Sequence, residues 1–244
     1  MTFLHGGDLG DLIYALPAIR AAGGGILYLT ELKPGREPLN AGRRQAIIPL
    51  LRLLDYIEDI QLHQSEPVDL DFTGFRKSLR PGERNLAETQ LEFAGFPISL
   101  ASEAWIDPHC LGGAVEHLPI IVHWTDRYRN PIFPWREFVT RFGRRAYFLG
   151  LSTEYSAFVE QYGSIWHRPT TDLLEMARLI ASGGLFVGNQ SVGYALAEAM
   201  KLPAVLEAYP PFLDCRFHRE DVHEVLREPP DWNWLESQLD KKKI

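Results

Sequence analysis

The sequence predicts an α/β protein built from two Rossmann-like halves. Short apolar stretches alternate with segments whose apolar residues recur at helical spacing, the pattern of parallel strands covered by helices. A poorly patterned stretch from Ser99 to His117, containing Pro108, Gly112 and Gly113, separates two such sets. Each set also holds a strand, a glycine-containing polar turn and a helix with the same triplet, Tyr14-Ala15-Leu16 in the first and Tyr194-Ala195-Leu196 in the second. That recurrence has a plain alternative, because any strand-to-helix unit needs a small-residue turn and an apolar helix face.

In the first half, Thr2 to His5 reads as a strand and Gly6 to Asp11 as the turn after it. A helix is expected from about Asp11 to Ala22, with Leu12, Ala15, Leu16 and Ile19 on its apolar face and Pro17 causing a kink or a late start. Gly23-Gly24-Gly25 ends it. Ile26 to Thr30 is a buried strand, Lys33 to Asn40 a loop, and Arg43 to Leu54 a helix. Weaker strands fall at Tyr56 to Leu62 and Val68 to Phe72, and a helix at Leu86 to Ala94, closed by Gly95. The second half reads as strands at Leu118 to Trp124, Ala146 to Leu149, Leu185 to Val187 and Ala204 to Leu206. Helices are expected at Trp135 to Phe142, Thr153 to Tyr162, Leu173 to Ala181 and Val192 to Met200.

Composition excludes several classes. The chain has 244 residues, 45% hydrophobic and 23% charged, which is ordinary for a globular protein and leaves room for one large domain or two small ones. With 25 basic against 32 acidic residues the formal charge is -7, which argues against a broadly basic nucleic-acid surface. The two cysteines, Cys110 and Cys215, match no disulfide framework or zinc spacing. The histidines form no HExxH pattern, and Asp69-Leu70-Asp71 is a pair that this aspartate content produces by chance, so neither a metal nor a cofactor is expected. No run is apolar enough to span a bilayer, and the opening MTFLHGGDLGD lacks the basic start of a signal peptide. A cytoplasmic protein is the expectation.

Three segments are candidates for chemistry. Gly6 to Asp11 lies at the carboxyl end of a strand, where open α/β sheets bind ligands. The turn lacks the third glycine of the dinucleotide fingerprint and holds two carboxylates, Asp8 and Asp11, beside Gly10. Acids at a helix start suit a hydroxyl-bearing acceptor or general-base work rather than a phosphate, although either aspartate also makes an ordinary helix cap. In the second segment, Arg127, Arg129 and Asn130 follow the strand ending near His123. Guanidinium groups in such a loop hold a diphosphate bidentately, or are simply solvated. In the third, Gly188 allows a sharp exit from a strand, and Asn189, Gln190 and Ser191 lead into a helix. Ser191 is a natural cap, and the amides of Ser191, Val192 and Gly193 form an anion seat. Glu207 ends the next strand, either accepting sugar hydroxyls or serving as an ordinary strand-end acid.

Together these segments resemble glycosyltransferase family 9, the ADP-heptose:lipopolysaccharide heptosyltransferase family of the two-Rossmann GT-B fold. GDLGDLIYALPAIRAAGG is similar to that family's opening, where a Gly-Asp pair begins the first helix and a Leu-Pro follows. DLLEMARLIASGGLFVGNQSVGYALAEAMKLPAVLE is similar to its closing helix-strand-helix segment. The resemblance implies a GT-B-like arrangement of two Rossmann-like domains facing a central cleft: an acceptor-binding domain over residues 1–108 and a nucleotide-sugar-binding domain over 109–244. It implies sugar transfer from a nucleotide-diphosphate sugar to a saccharide or other hydroxyl acceptor, without an essential metal and with inversion. Asp11 falls on the family's catalytic base, with Asp8 secondary, and Arg127 and Arg129 fall where the family has a phosphate-binding lysine. Ser191 to Gly193 fall where its backbone amides meet the diphosphate. The chain departs from the pattern at Gln190, where the family commonly has Asp, and at Tyr194, where it has His. Two other readings stay open: a non-catalytic nucleotide or sugar-nucleotide binding protein, and a phage-type transferase acting on modified bases in DNA, which salt-dependent DNA binding would favour.

Overall fold

A computed structural model describes residues 1–31, 39–112 and 117–241. Most of the expected 33–40 loop (33–38) and Gly113 of the expected break lie outside these residues. The chain divides into two compact units, the first made of Met1–Gly112 with Asp172–Leu174 and the second of the remainder.

The first unit runs β1 (Thr2–His5), α1 (Leu9–Ala21), β2 (Gly25–Leu29), α2 (Ala41–Leu51), β3 (Ile57–Leu62), β4 (Leu70–Asp71), a 3-10 stretch over Phe72–Ser78, and α3 (Leu86–Phe93). Its sheet is wholly parallel, in the order β3-β2-β1-β4. The central strands β1 and β2 are apolar because both faces are covered, whereas the edge strands β3 and β4 are largely exposed: Phe3, Leu27 and Leu29 are buried, as are Leu12, Leu16 and Ile19 of α1 and Phe72 and Phe75 of the 3-10 stretch. Helix α1 begins at Leu9, two residues ahead of expectation, and runs through Pro17. Asp11 therefore lies inside the first turn and does not start the helix.

The second unit runs β5 (Ile120–His123), α4 (Trp135–Phe142), β6 (Ala146–Leu149), α5 (Ser152–Tyr162), β7 (Trp166–Arg168), α6 (Leu173–Ser182, whose first two residues group with the first unit), β8 (Leu185–Asn189), α7 (Val192–Ala199), β9 (Ala204–Glu207), β10 (Val222–Val225) and α8 (Trp232–Lys241). Its sheet is also parallel throughout, in the order β10-β9-β8-β5-β6-β7. Counted from β5 this is the doubly wound 3-2-1-4-5-6 order, with its topological switch point between β5 and β8. Phe138, Phe148, Phe158, Trp124 and Trp135 fill one side of the sheet in edge and tilted contacts. Among the described residues no helix is long and apolar enough to cross a membrane.

Three elements of this unit escape the sequence reading. Strand β7 has three residues and sits at the sheet edge with Trp166 exposed, so it has no alternation to detect. Strand β10 is the opposite edge. Helix α8 did carry a signal: Trp232, Leu235 and Leu239 recur at helical spacing and are all buried. Leu235→Ala is expected to destabilise the fold by about 2–5 kcal/mol through the cavity it leaves. The exposed neighbour Glu236→Ala should stay within about 0.5 kcal/mol. Urea unfolding of the two variants checks the pair, and equal midpoints would mean that α8 adds nothing to the core.

Candidate active site

Open parallel sheets leave a crevice where neighbouring connections depart in opposite directions, outside the carboxyl ends of the strands. Each unit has one such point, and the sequence candidates gather at both.

In the first unit the point lies between β1 and β4. Asp8 holds the N-cap position of α1, yet its side chain makes no capping bond. It lies 3.9 Å from the Arg43 guanidinium of α2. Gly10 and Asp11 follow in the first turn. The Asp11 carboxylate is almost wholly buried and accepts from Arg76, with Nη2 2.6 Å from Oδ1 and 2.7 Å from Oδ2, and Nε 3.1 Å from Oδ2. Arg76 belongs to the 3-10 stretch after β4, so the pair bridges the switch point. Gln90 of α3 donates to the Asp11 carbonyl at 2.7 Å, and the Phe75 ring lies 5.3 Å beneath the Arg76 guanidinium. Arg76 and Gln90 are absent from the sequence reading. Both are separated from Asp11 by more than sixty residues, and no local pattern joins them.

In the second unit β5 ends at His123 and β8 at Asn189. Asn189 closes the gap between the departing loops: its Oδ1 accepts from the Thr125 amide at 3.2 Å, and its Nδ2 donates to the carbonyls of Thr125 and Arg127, both at 2.7 Å. Gln190 accepts from the Tyr209 amide at 2.6 Å and donates to the Phe212 carbonyl at 2.8 Å. Asn130 donates from its side chain to the carbonyls of Ala208, Val225 and Leu226. Both carboxylate oxygens of Glu207 are engaged, by the Asn130 amide at 2.7 Å and by Trp135 Nε1 at 2.8 Å. Asn130, Asn189, Gln190 and Glu207 are therefore spent on the chain's own backbone and indole.

Ser191 occupies the N-cap position of α7 without making a side-chain capping bond. Its Oγ instead lies 2.8 Å from His123 Nδ1. A Cβ on Gly193 would sit 2.6 Å from His123 Cγ, and one on Gly188 would sit 2.2 Å from the His123 carbonyl oxygen, so only glycine admits the histidine here. Val192 is the first residue of α7. The arginines differ. Arg127 is exposed, its guanidinium 5.6 Å from the Tyr128 ring. Arg129 is bound to Asp126 at 3.1 Å and to the Tyr162 hydroxyl, and it lies over the rings of Trp124 and Tyr162 at 5.3 and 5.7 Å. Tyr194, at the departure from the family pattern, is fully buried, with its ring 6.1 Å from Phe186. No group of three His, Cys, Asp or Glu residues that could hold a metal ion occurs among the described residues.

Two buried groups at this point titrate far from their ordinary values. Burial lowers His123 to about 4. Burial raises Glu207 to about 7, against the pull of its two hydrogen bonds and of Arg129. The signs oppose. Between pH 4 and 6.5 the unfolded chain binds a proton that native His123 refuses, so this group makes stability rise with pH. Between pH 4.5 and 7 native Glu207 keeps a proton that the unfolded chain has lost, so stability falls as pH rises. Each is worth on the order of 3 kcal/mol across its window. In wild type the two contributions offset from pH 4.5 to 6.5, so relative to wild type Glu207→Gln is expected to tilt stability upward with pH across that range and His123→Gln to tilt it downward. Urea midpoints measured across that range decide the matter, and parallel curves for all three proteins would refute both assignments.

No protein-family model and no curated protein matches the sequence. Solved structures do match. The E. coli heptosyltransferase WaaC with ADP-2-deoxy-2-fluoro heptose aligns with a TM-score of 0.61 at 12% identity, over 98% of each chain. A glycosyl transferase family 9 protein from Veillonella parvula aligns with a TM-score of 0.59 at 13% identity, over 100% of this chain and 89% of that one. The E. coli ADP-heptose lps heptosyltransferase II aligns with a TM-score of 0.55 at 14% identity, over 100% and 99%. The chain has a GT-B-like α/β fold of the kind found in glycosyltransferase family 9.

Proposed function

We propose that the protein is a glycosyltransferase that moves a sugar from a nucleotide-diphosphate sugar to an acceptor hydroxyl, with inversion and without a metal ion. One observation carries this reading. The exposed Arg127 and the start of α7 stand together at the β5/β8 switch point of a fold shared with a heptosyltransferase whose structure contains an ADP-sugar analogue.

In this reading the second unit seats the donor. The first amides of α7 have no partner within their helix and point along a dipole that favours anions, and Arg127 adds a full positive charge. Arg129 supports the loop from within its aromatic surroundings. The first unit seats the acceptor. Asp11 takes the proton of the acceptor hydroxyl, whose oxygen attacks the anomeric carbon. The bond from that carbon to the diphosphate breaks, and the electron pair leaves on the diphosphate, where Arg127 and the amides hold the charge. Arg76 fixes the direction in which the Asp11 oxygens face, and Asp8 and Gly10 shape the turn before it. A saccharide is the acceptor class this resemblance supports.

A second reading, a nucleotide-sugar binding protein without transfer, draws on one feature: Arg76 already holds both oxygens of Asp11. The two readings part on Asp11→Asn. As the base, Asp11 contributes about 10²–10⁴-fold in rate, so turnover falls by that factor while ADP affinity stays unchanged. In a protein without transfer Asp11 is a structural partner of Arg76 only: wild type turns over none of the nucleotide sugars, and the variant loses about 3–5 kcal/mol of stability with ADP affinity per folded molecule unchanged. Mass-spectrometric screening against a panel of nucleotide sugars, followed by turnover and calorimetry on this variant, distinguishes them. The donor seat has its own test. Arg127→Ala should weaken nucleotide affinity by about 1.5–3 kcal/mol, and Arg129→Ala should act chiefly on thermal stability. Unchanged affinity for Arg127→Ala would remove the diphosphate from this loop.

A further inference from the structure

Three aromatic rings stand beside the start of α7 and take no part in the buried aromatic core of their unit. Tyr128, from the loop after β5, and Tyr209 and Phe212, from the loop after β9, form a closed triangle with every centroid separation at 5.8 Å. Phe212 is 49% exposed, and Tyr128 and Tyr209 are half-buried. Tyr128 sits at φ 55°, in the left-handed region that costs a bulky residue free energy and that persists only where its surroundings impose it.

The surroundings do impose it. Gln190 holds both ends of the Tyr209–Phe212 turn, through the Tyr209 amide and the Phe212 carbonyl. The turn closes on itself through a bond from the Phe212 amide to the Tyr209 carbonyl at 3.0 Å. Asn189 holds the Arg127 carbonyl immediately before Tyr128, and Asn130 holds the Ala208 carbonyl immediately before Tyr209. Three buried amide side chains thus fix the position of rings whose apolar faces reach water. The three rings shield one another, yet Phe212 stays half in water. It gains by covering an apolar surface on something else.

We propose that Tyr128, Tyr209 and Phe212 form a stacking platform for the transferred sugar ring of the donor and select which sugar is accepted. The proposal rests on the donor reading given above. Position decides which part of the donor the rings meet. Gln190, which carries the Tyr209–Phe212 turn, directly precedes Ser191 at the start of α7, and Arg127 directly precedes Tyr128. The platform is therefore next to the diphosphate seat. In a nucleotide sugar the transferred ring is bonded directly to the diphosphate, whereas the base lies one ribose further away. A pyranose presents a face of C–H groups that a flat aromatic ring desolvates, and its hydroxyls stay at the rim for polar partners. Sugars that carry an axial hydroxyl on the stacked face lose that contact, which is how the platform discriminates.

The test compares matched pairs by calorimetry: ADP with ADP-glucose, and UDP with UDP-glucose. Phe212→Ala, at a half-exposed position, and Tyr128→Asn, which tolerates the left-handed backbone, are expected to weaken nucleotide-sugar binding about three- to tenfold. They should leave the corresponding nucleoside diphosphate within about twofold. Phe212→Trp should restore the sugar-dependent part. Thermal unfolding of each variant confirms that the fold is kept. Equal losses for both members of a pair would put the rings against the base or the diphosphate and overturn the proposal, as would no loss for either. Wild-type protein that binds neither member of any pair overturns the donor reading and the platform together. Wild-type binding that is indifferent to both ring variants overturns the platform alone.

Discussion

The constraint on which the second unit depends is the satisfaction of backbone groups where β5 and β8 diverge. Beyond the last rung of the ladder the two chains turn away from each other, and their amides and carbonyls lose strand partners while still buried. Leaving one such group unpaired costs about 1–3 kcal/mol. Asn189 supplies partners for Thr125 and Arg127, Asn130 for Ala208 and Leu226, and Gln190 for Tyr209 and Phe212. Glu207 joins the Asn130 backbone to the Trp135 indole from the end of β9. An amide side chain both donates and accepts, so it pairs with a carbonyl and an amide at once, as Asn189 and Gln190 do here.

The first unit meets the same geometric situation with charge. Its switch point is bridged by Asp11 and Arg76, an ion pair with the carboxylate buried and the guanidinium partly in water. A pair of that kind contributes little net stability, since desolvation offsets most of the attraction, but removing one member strands the other. The contrast follows from the elements involved. Strand β4 has two residues and continues straight into a 3-10 stretch, so its carboxyl end delivers a long side chain where the second unit delivers loops.

Much of this was legible in the sequence, and the pattern of what was not is physical. The strands β1, β2, β5, β6, β8 and β9 announce themselves because burial on both faces makes them continuous apolar runs, and α4 and α7 because their apolar residues keep helical spacing. The carboxyl ends of β1, β5 and β8 were also visible, since glycine or polar residues follow each strand there. What the side chains do there was not. Nothing in Gly188-Asn189-Gln190-Ser191 reveals that the two amides face inward to other loops, or that the serine turns to His123 rather than to the helix amides. Those partners lie far along the chain. The same holds for Arg76, whose role exists only once β4 is laid beside β1. The edge strands β7 and β10 were missed because an edge asks for neither burial nor length.

The parallel topology has a kinetic consequence. Thr125 and Asn189 are 64 residues apart, and β6, α5, β7 and α6 all lie between them in the chain. Parallel neighbours cannot zip from a hairpin. The central pair β5 and β8 meets only after a long loop closes, a step that carries its entropy cost before any contact repays it. The loops at the carboxyl ends of β5, β8 and β9 take shape only after that meeting, because each borrows its hydrogen bonds from another strand's connection. During synthesis these loops thus lack their partners until β8 and β9 have emerged, and a chain interrupted before Asn189 presents the Arg127 to Asn130 loop without the side chain that holds the Thr125 and Arg127 carbonyls.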